Sequence, residues 1–177
     1  WSGLYFYDSK GDISSKVINI AGGTNGAYFE NSTEKTSIQG DDITITGKKY
    51  NGIYLDGNGS LYLEGRNAYI KGGTNGIWNN GHNQGKITIK SDVINLSGET
   101  EDGILVHRKG NIVEIEGKNT FISGYRNGIE TLETGGEVII DSDKTVISGG
   151  ETGIWMGEEG NTKIKSNEVT IFTTDKD

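Results

Sequence analysis

The chain has no cysteine, no proline and a single methionine among its 177 residues, and 17 basic residues against 25 acidic ones, a net charge of -8. Without cysteine there is no disulfide framework, and the redox compartment is not written in the sequence. A cysteine-free chain fits secretion across membranes in an unfolded state, although many cytosolic proteins lack cysteine too. The scarcity of basic residues argues against a nucleic-acid or anionic-membrane partner, which would require a basic surface. No apolar run is long enough for a membrane-spanning helix. The first residues, "WSGLYFYDSKG", lack the layout of a signal peptide, and the abrupt ends suggest a piece of a longer protein.

What is abundant is glycine, at 29 residues. With no Gly-X-Y period this is not collagen, and the regular spacing of Ile and Val argues against disorder. The segment "GGTNG" occurs twice, at Gly22 to Gly26 and Gly72 to Gly76. Read alone, Asn-Gly between apolar runs predicts a hairpin.

The repeat gives a different reading. A glycine opens a "G-apolar-x" triplet at Gly3, Gly26, Gly52, Gly76, Gly103, Gly128 and Gly153, at intervals of 23, 26, 24, 27, 25 and 25. A Gly or Ser closes a second run, from Ser15 and Gly40 to Ser166, and a third marker follows seven residues later in every coil, from Gly22 to Thr173. Insertions collect between the opening triplet and the second run, where a loop accommodates them. Apolar residues alternate within the runs, and columns such as Ile20, Ile45, Ile70, Leu96, Ile122, Ile147 and Ile171 recur every coil. Antiparallel hairpins give no reason for such recurrence. A parallel β-helix does, since each segment lies about 4.8 Å from its equivalent one coil away.

The expected fold is therefore all-β: a single-stranded parallel β-helix, or β-solenoid, of about seven coils of ~25 residues with three short strands per coil. It forms one domain over residues 1–177, expected to be a slice of a longer solenoid. The charge column Lys16, Asp41, Arg66, Asp92, Lys118, Asp143 alternates in sign, as stacking requires. Asn25, Asn51, Asn75, Asp102 and Asn127 precede the opening glycines. They predict a stacked corner ladder with left-handed backbone at the Asn, the Gly or both, and Gly76→Ala should then cost about 1 kcal/mol or more.

The ~25-residue Gly- and Asn-rich coils carrying "ITITG", "NGIYLDGNGSLYLEG" and "GGTNGIW" resemble the passenger domains of bacterial autotransporter adhesins. The resemblance covers all seven coils and rests on repeat style. It implies a right-handed β-helix displayed on the surface of a Gram-negative cell, with attachment or self-association as its role.

Candidate chemistry is sparse. Asp41 and Asp42, with Asp92, Asp141 and Asp143, are the carboxylates to consider for polysaccharide cleavage, though charge alternation already accounts for Asp41. His82 and His107 could approach one another on the variable edge without making a zinc site. "DGNGS" at Asp56 to Ser60 begins like a calcium loop but lacks its later ligands, and reads as a turn. No metal or cofactor is expected.

The column two residues after each opening glycine holds Tyr5, Tyr28, Tyr54, Trp78, Leu105, Glu130 and Trp155. Alternation turns it outward, so its aromatics are the candidate binding row for a glycan, a matrix protein or a second copy, with Trp78 and Trp155 the leading residues. A non-enzymatic adhesin, a polysaccharide-degrading enzyme and a plain spacer are the three functions the sequence leaves open.

Overall fold

A computed structural model describes residues 1–82, 84–132 and 135–174. Fifteen strands follow one another: β1 (Leu4–Tyr7), β2 (Asp12–Ser14), β3 (Val17–Gly22), β4 (Ala27–Glu30), β5 (Lys35–Gly47), β6 (Ile53–Asp56), β7 (Ser60–Gly72), β8 (Ile77–Asn79), β9 (Lys86–Gly98), β10 (Ile104–Val106), β11 (Ile112–Gly124), β12 (Asn127–Thr131), β13 (Gly136–Gly149), β14 (Thr152–Met156) and β15 (Gly160–Thr173). All pair in parallel, each with its equivalent one coil away. One sheet is β1-β4-β6-β8-β10-β12-β14, and the other holds the long strands together with β2 and β3 of the first coil. This is the β-solenoid of seven coils that the repeat predicts.

The strand count per coil differs from expectation. After the first coil, the second and third runs are one continuous strand of 13 or 14 residues, so a coil holds two strands and not three. Hydrogen bonding carries on across a bend that the sequence marks as a break. In β5 the inward positions are Thr36 and Ile38 before the marker and Ile43 and Ile45 after it, a one-residue change of phase. Pairing passes from Gly40↔Gly65 to Asp42↔Asn67, so the charge-column residues Asp41 and Arg66 sit at the bend and form a 3.0 Å ion pair.

Stacked Ile, Leu and Val columns fill the interior, with Ile38, Ile43, Ile89, Ile94, Ile115 and Ile140 at or near zero exposure. Each such side chain contributes roughly 1.5 to 3 kcal/mol relative to exposure. Two threonines, Thr120 and Thr145, occupy an otherwise apolar column and are fully buried. Their hydroxyls meet Ser142 Oγ at 3.0 Å and Ser166 Oγ at 2.6 Å. Serine at the second marker thus satisfies a hydroxyl buried one coil earlier.

The GGTNG corners connect coils and reverse nothing. The N–H of Gly26 donates to the carbonyl of Asn51, that of Gly52 to Asn75 and that of Gly76 to Asp102, each at 3.0 Å. The expectation of left-handed backbone at this corner is wrong. Among the described residues, positive φ occurs at Asp8, Asn31, Arg108, Gly110, Gly135 and Gly136, all in the variable edge. Asparagine stands at the corner for its amide, which bridges coils. Glycine stands there because a Cβ has no room: on Gly76 it would lie 2.6 Å from the carbonyl oxygen of Gly103.

Gly76→Ala is therefore expected to cost about 1–3 kcal/mol by overpacking against backbone. In urea unfolding, Gly76→Asn should be no more stable than the Ala variant, because Asn relieves backbone strain and not a clash. A markedly more stable Asn variant would point back to positive φ.

Candidate functional site

The corner ladder is a chain of side-chain to main-chain bonds. Asn25 Oδ1 accepts from the backbone N–H of Asn51 at 3.0 Å and from its side-chain amide at 3.1 Å. Asn75 Nδ2 donates to Asn51 Oδ1 at 3.1 Å, and Asn75 Oδ1 accepts from the N–H of Asp102 at 3.1 Å. Asn25, Asn51, Asn75, Asp102 and Asn127 are all buried, so each bond satisfies a group largely withdrawn from solvent.

At Asp102 the ladder changes chemistry. A carboxylate has no amide hydrogen to pass on, and here it only accepts: from the N–H of Asn127 at 3.1 Å, from its side-chain amide at 3.0 Å and from Arg126 Nη2 at 2.8 Å. Arg126 Nη2 also reaches Glu130 Oε2 at 2.8 Å, and Asn127 Nδ2 donates to the same oxygen at 2.6 Å. Burial first and the Asp102 charge second raise the Glu130 pKa above the ordinary glutamate range, against the pull of Arg126. The sequence reading grouped Asp102 with the asparagines and Glu130 with the aromatics. That an ion-pair cluster joins them was hidden, because Arg126 lies outside both columns.

Strand alternation does turn the aromatic column outward, since its neighbours Ala27, Phe29, Ile53 and Leu55 face the core. Tyr5 is exposed, while Tyr28, Tyr54 and Trp78 are half-buried. The rings adjoin one another along the rod: Tyr28 and Tyr54 stack with centroids 4.9 Å apart, while Tyr5 meets Tyr28 at 5.3 Å and Trp78 meets Tyr54 at 4.9 Å, both tilted. Tyr28 and Tyr54 therefore cover one face of each other's ring. Trp78 Nε1 is buried without a hydrogen-bond partner. Trp155 is exposed but stands apart from the stack, because buried Leu105 and Glu130 occupy the two coils between.

Beside the stack runs a groove. Tyr50, exposed on the corner between the second and third coils, divides it into two hollows. One, of about 570 Å³, lies against Tyr5 and Tyr28, and the other, of about 480 Å³, lies against Tyr54, Trp78, Thr74 and Glu101. The buried ladder residue Asn25 lines both. Tyr50 sits two residues before an opening glycine, in a column with Thr24, Thr74, Glu101 and Arg126 whose backbones hydrogen-bond from coil to coil, and a column of such mixed composition carries no signal in the repeat.

On the other side of the stack a polar row follows. Tyr5 donates its hydroxyl to Glu30 at 2.5 Å, and Asn80 Nδ2 donates to the Tyr54 hydroxyl at 3.2 Å and to Asp56 Oδ1 at 3.4 Å. The hydroxyl pKa values of Tyr28 and Tyr54 are raised, chiefly by burial. His82 and His107 are drawn into this edge without meeting each other: His107 Nδ1 lies 3.0 Å from Asn80 Oδ1, and His82 Nδ1 lies 2.7 Å from Arg108. Burial, and then the Arg108 charge, lower the His107 pKa. No cluster of three or more metal-ligating side chains occurs among the described residues.

The carboxylates considered for catalysis are separately engaged. Asp41 pairs with Arg66 and Asp92 with Lys118 at 3.0 Å, Asp141 pairs with Lys165 at 2.8 Å, and Asp42 accepts from Asn67 at 2.7 Å.

The Glu130 cluster gives a pH prediction. The folded chain holds the Glu130 proton more tightly than the unfolded chain does. This group's contribution to stability is then fullest below the ordinary glutamate pKa and is lost as pH rises through the raised one. In urea unfolding across about pH 4 to 7, wild type minus Glu130→Gln should decline with pH; a flat or rising difference would show that the shift is absent. No protein-family model, curated protein sequence or solved structure matches the chain.

Proposed function

We propose that this solenoid is a non-enzymatic adhesive segment, displayed on the surface of a Gram-negative bacterium, that holds a surface glycan in the groove beside the asparagine corner. The observation that carries the reading is the groove itself: two adjoining hollows with the Tyr5 to Trp78 stack along one side and the exposed ring of Tyr50 between them. Tyrosines combine an apolar ring with a hydroxyl that suits a sugar's mixed surface, and a rigid aromatic loses little conformational freedom on binding. Thr74 and Glu101 supply hydrogen-bonding groups in the second hollow. Display outside the cell rests on the resemblance to autotransporter passengers and agrees with a cysteine-free, acidic chain.

Hydrolysis of the bound sugar is the less favoured reading. General acid and base need two reachable carboxyl groups. Asp102 and Glu130 do come together, around Arg126 and Asn127, but the Asp102 side chain is 0% exposed. A substrate has no path to it.

A glycan array probed with the chain, followed by titration of the best hit, tests the proposal. Tyr50→Ala should weaken binding about fivefold or more, in line with about 1 kcal/mol for a lost ring contact, and leave the unfolding midpoint nearly unchanged. Binding that is absent from the array, or indifferent to both Tyr50→Ala and Glu101→Gln, would sink it.

A further inference from the structure

The two arms of the long sheet present unlike outer faces. The arm before the bend is laced with inter-coil ion pairs such as Lys90–Glu116 at 2.6 Å and Lys86–Glu114 at 2.8 Å. The arm after it, three outward columns wide over seven coils, carries only four charged residues, Asp42, Lys71, Lys144 and Glu168. Tyr69 and Phe121 stand exposed there at 45% and 37%.

This face is close to symmetric about its fourth coil. Asn95 pairs with Tyr69 on one side and Phe121 on the other. In the neighbouring column Val93 lies between Asn67 and Asn119, and one coil further out stand Asp42 and Lys144. A two-fold axis along the strand direction at Asn95 would lay the face on a copy of itself with the rods antiparallel. Each column then faces itself, and the second coil faces the sixth. Tyr69 meets Phe121 of the other copy twice, and Asp42 meets Lys144 twice. None of the four charged residues faces a like charge.

We propose that two copies of this chain pair antiparallel through this face, in an isologous interface centred on Asn95. The inference names the partner for self-association and does not depend on the groove. Sheets packed face to face lie about 10 Å apart, a gap that Tyr and Phe side chains fill. Seven coils at about 4.8 Å by six residues at about 3.3 Å give on the order of 650 Å² per copy, or about 1,300 Å² in total, at the lower end of specific interfaces. An isologous contact closes at two copies and does not propagate.

Sedimentation velocity over a wide concentration range should show a monomer–dimer equilibrium. Phe121→Glu should weaken it at least tenfold without disturbing the circular dichroism spectrum, since this side chain points outward. Asp42→Lys and Lys144→Asp should each weaken association, and the double variant should recover most of it. The described residues hold no cysteine, and neither do the rest. Asn95→Cys should therefore cross-link with a short bis-maleimide, and Asn19→Cys, far from the axis, should not. The proposal is overturned by a monomer at every concentration, by a dimer indifferent to Phe121→Glu, by failure of the double variant to recover, or by equal cross-linking at both cysteines. Glycan binding by Phe121→Glu should be unchanged, so failure here is distinguishable from failure of the groove.

Discussion

The whole molecule depends on one constraint: every strand hydrogen-bonds in parallel and in register to its equivalent one coil away. The spacing of about 4.8 Å leaves no freedom for mismatched neighbours. Apolar positions must stack on apolar ones, as in the Ile38, Leu63, Ile89, Ile115, Ile140 column. Polar positions must find a complementary group above or below, as Asp92 finds Lys118 and Asn25 finds Asn51. Stability is a sum of such nearest-neighbour contacts, characteristic of a repeat architecture.

The same constraint sorts the surface into variable and fixed parts. Where strands pair, insertions are forbidden, and length variation is pushed into the edge between the short and long strands. That edge also collects all the described left-handed residues, among them Arg108 at φ 72°. The corner on the other side is fixed by the asparagine ladder and by glycines with no room for a side chain, which gives the groove beside it a rigid floor. A binding surface that costs little to order is favoured in recognition.

The coil period, the core columns and the bend charges were legible because stacking writes the same residue type at the same position in each coil. Corner geometry was less legible. Asn-Gly signals both left-handed backbone and close packing, and only the position of the Gly103 carbonyl over Gly76 decides between them. The number of strands per coil was misread because a change of phase at Gly40 looks like a break in the sequence, whereas the hydrogen bonds carry across it. Within the candidate site, the outward aromatic column could be read from alternation. Tyr50 and Arg126 could not, since each lies in a turn whose composition changes from coil to coil. The burial of Trp78 likewise depends on the stack it joins and not on its own strand.

The proposed adhesive role and the proposed antiparallel pair both require that the columns be physical stacks that create continuous faces. Pulsed electron resonance between spin labels at Asn19→Cys and Thr170→Cys, on one column six coils apart, tests this most directly, in magnetically dilute samples that isolate distances within one chain. The account predicts a narrow distribution centred about 29 Å, six rises of about 4.8 Å. A broad distribution, or a distance below about 15 Å as a chain folded back by hairpins would give, would contradict it.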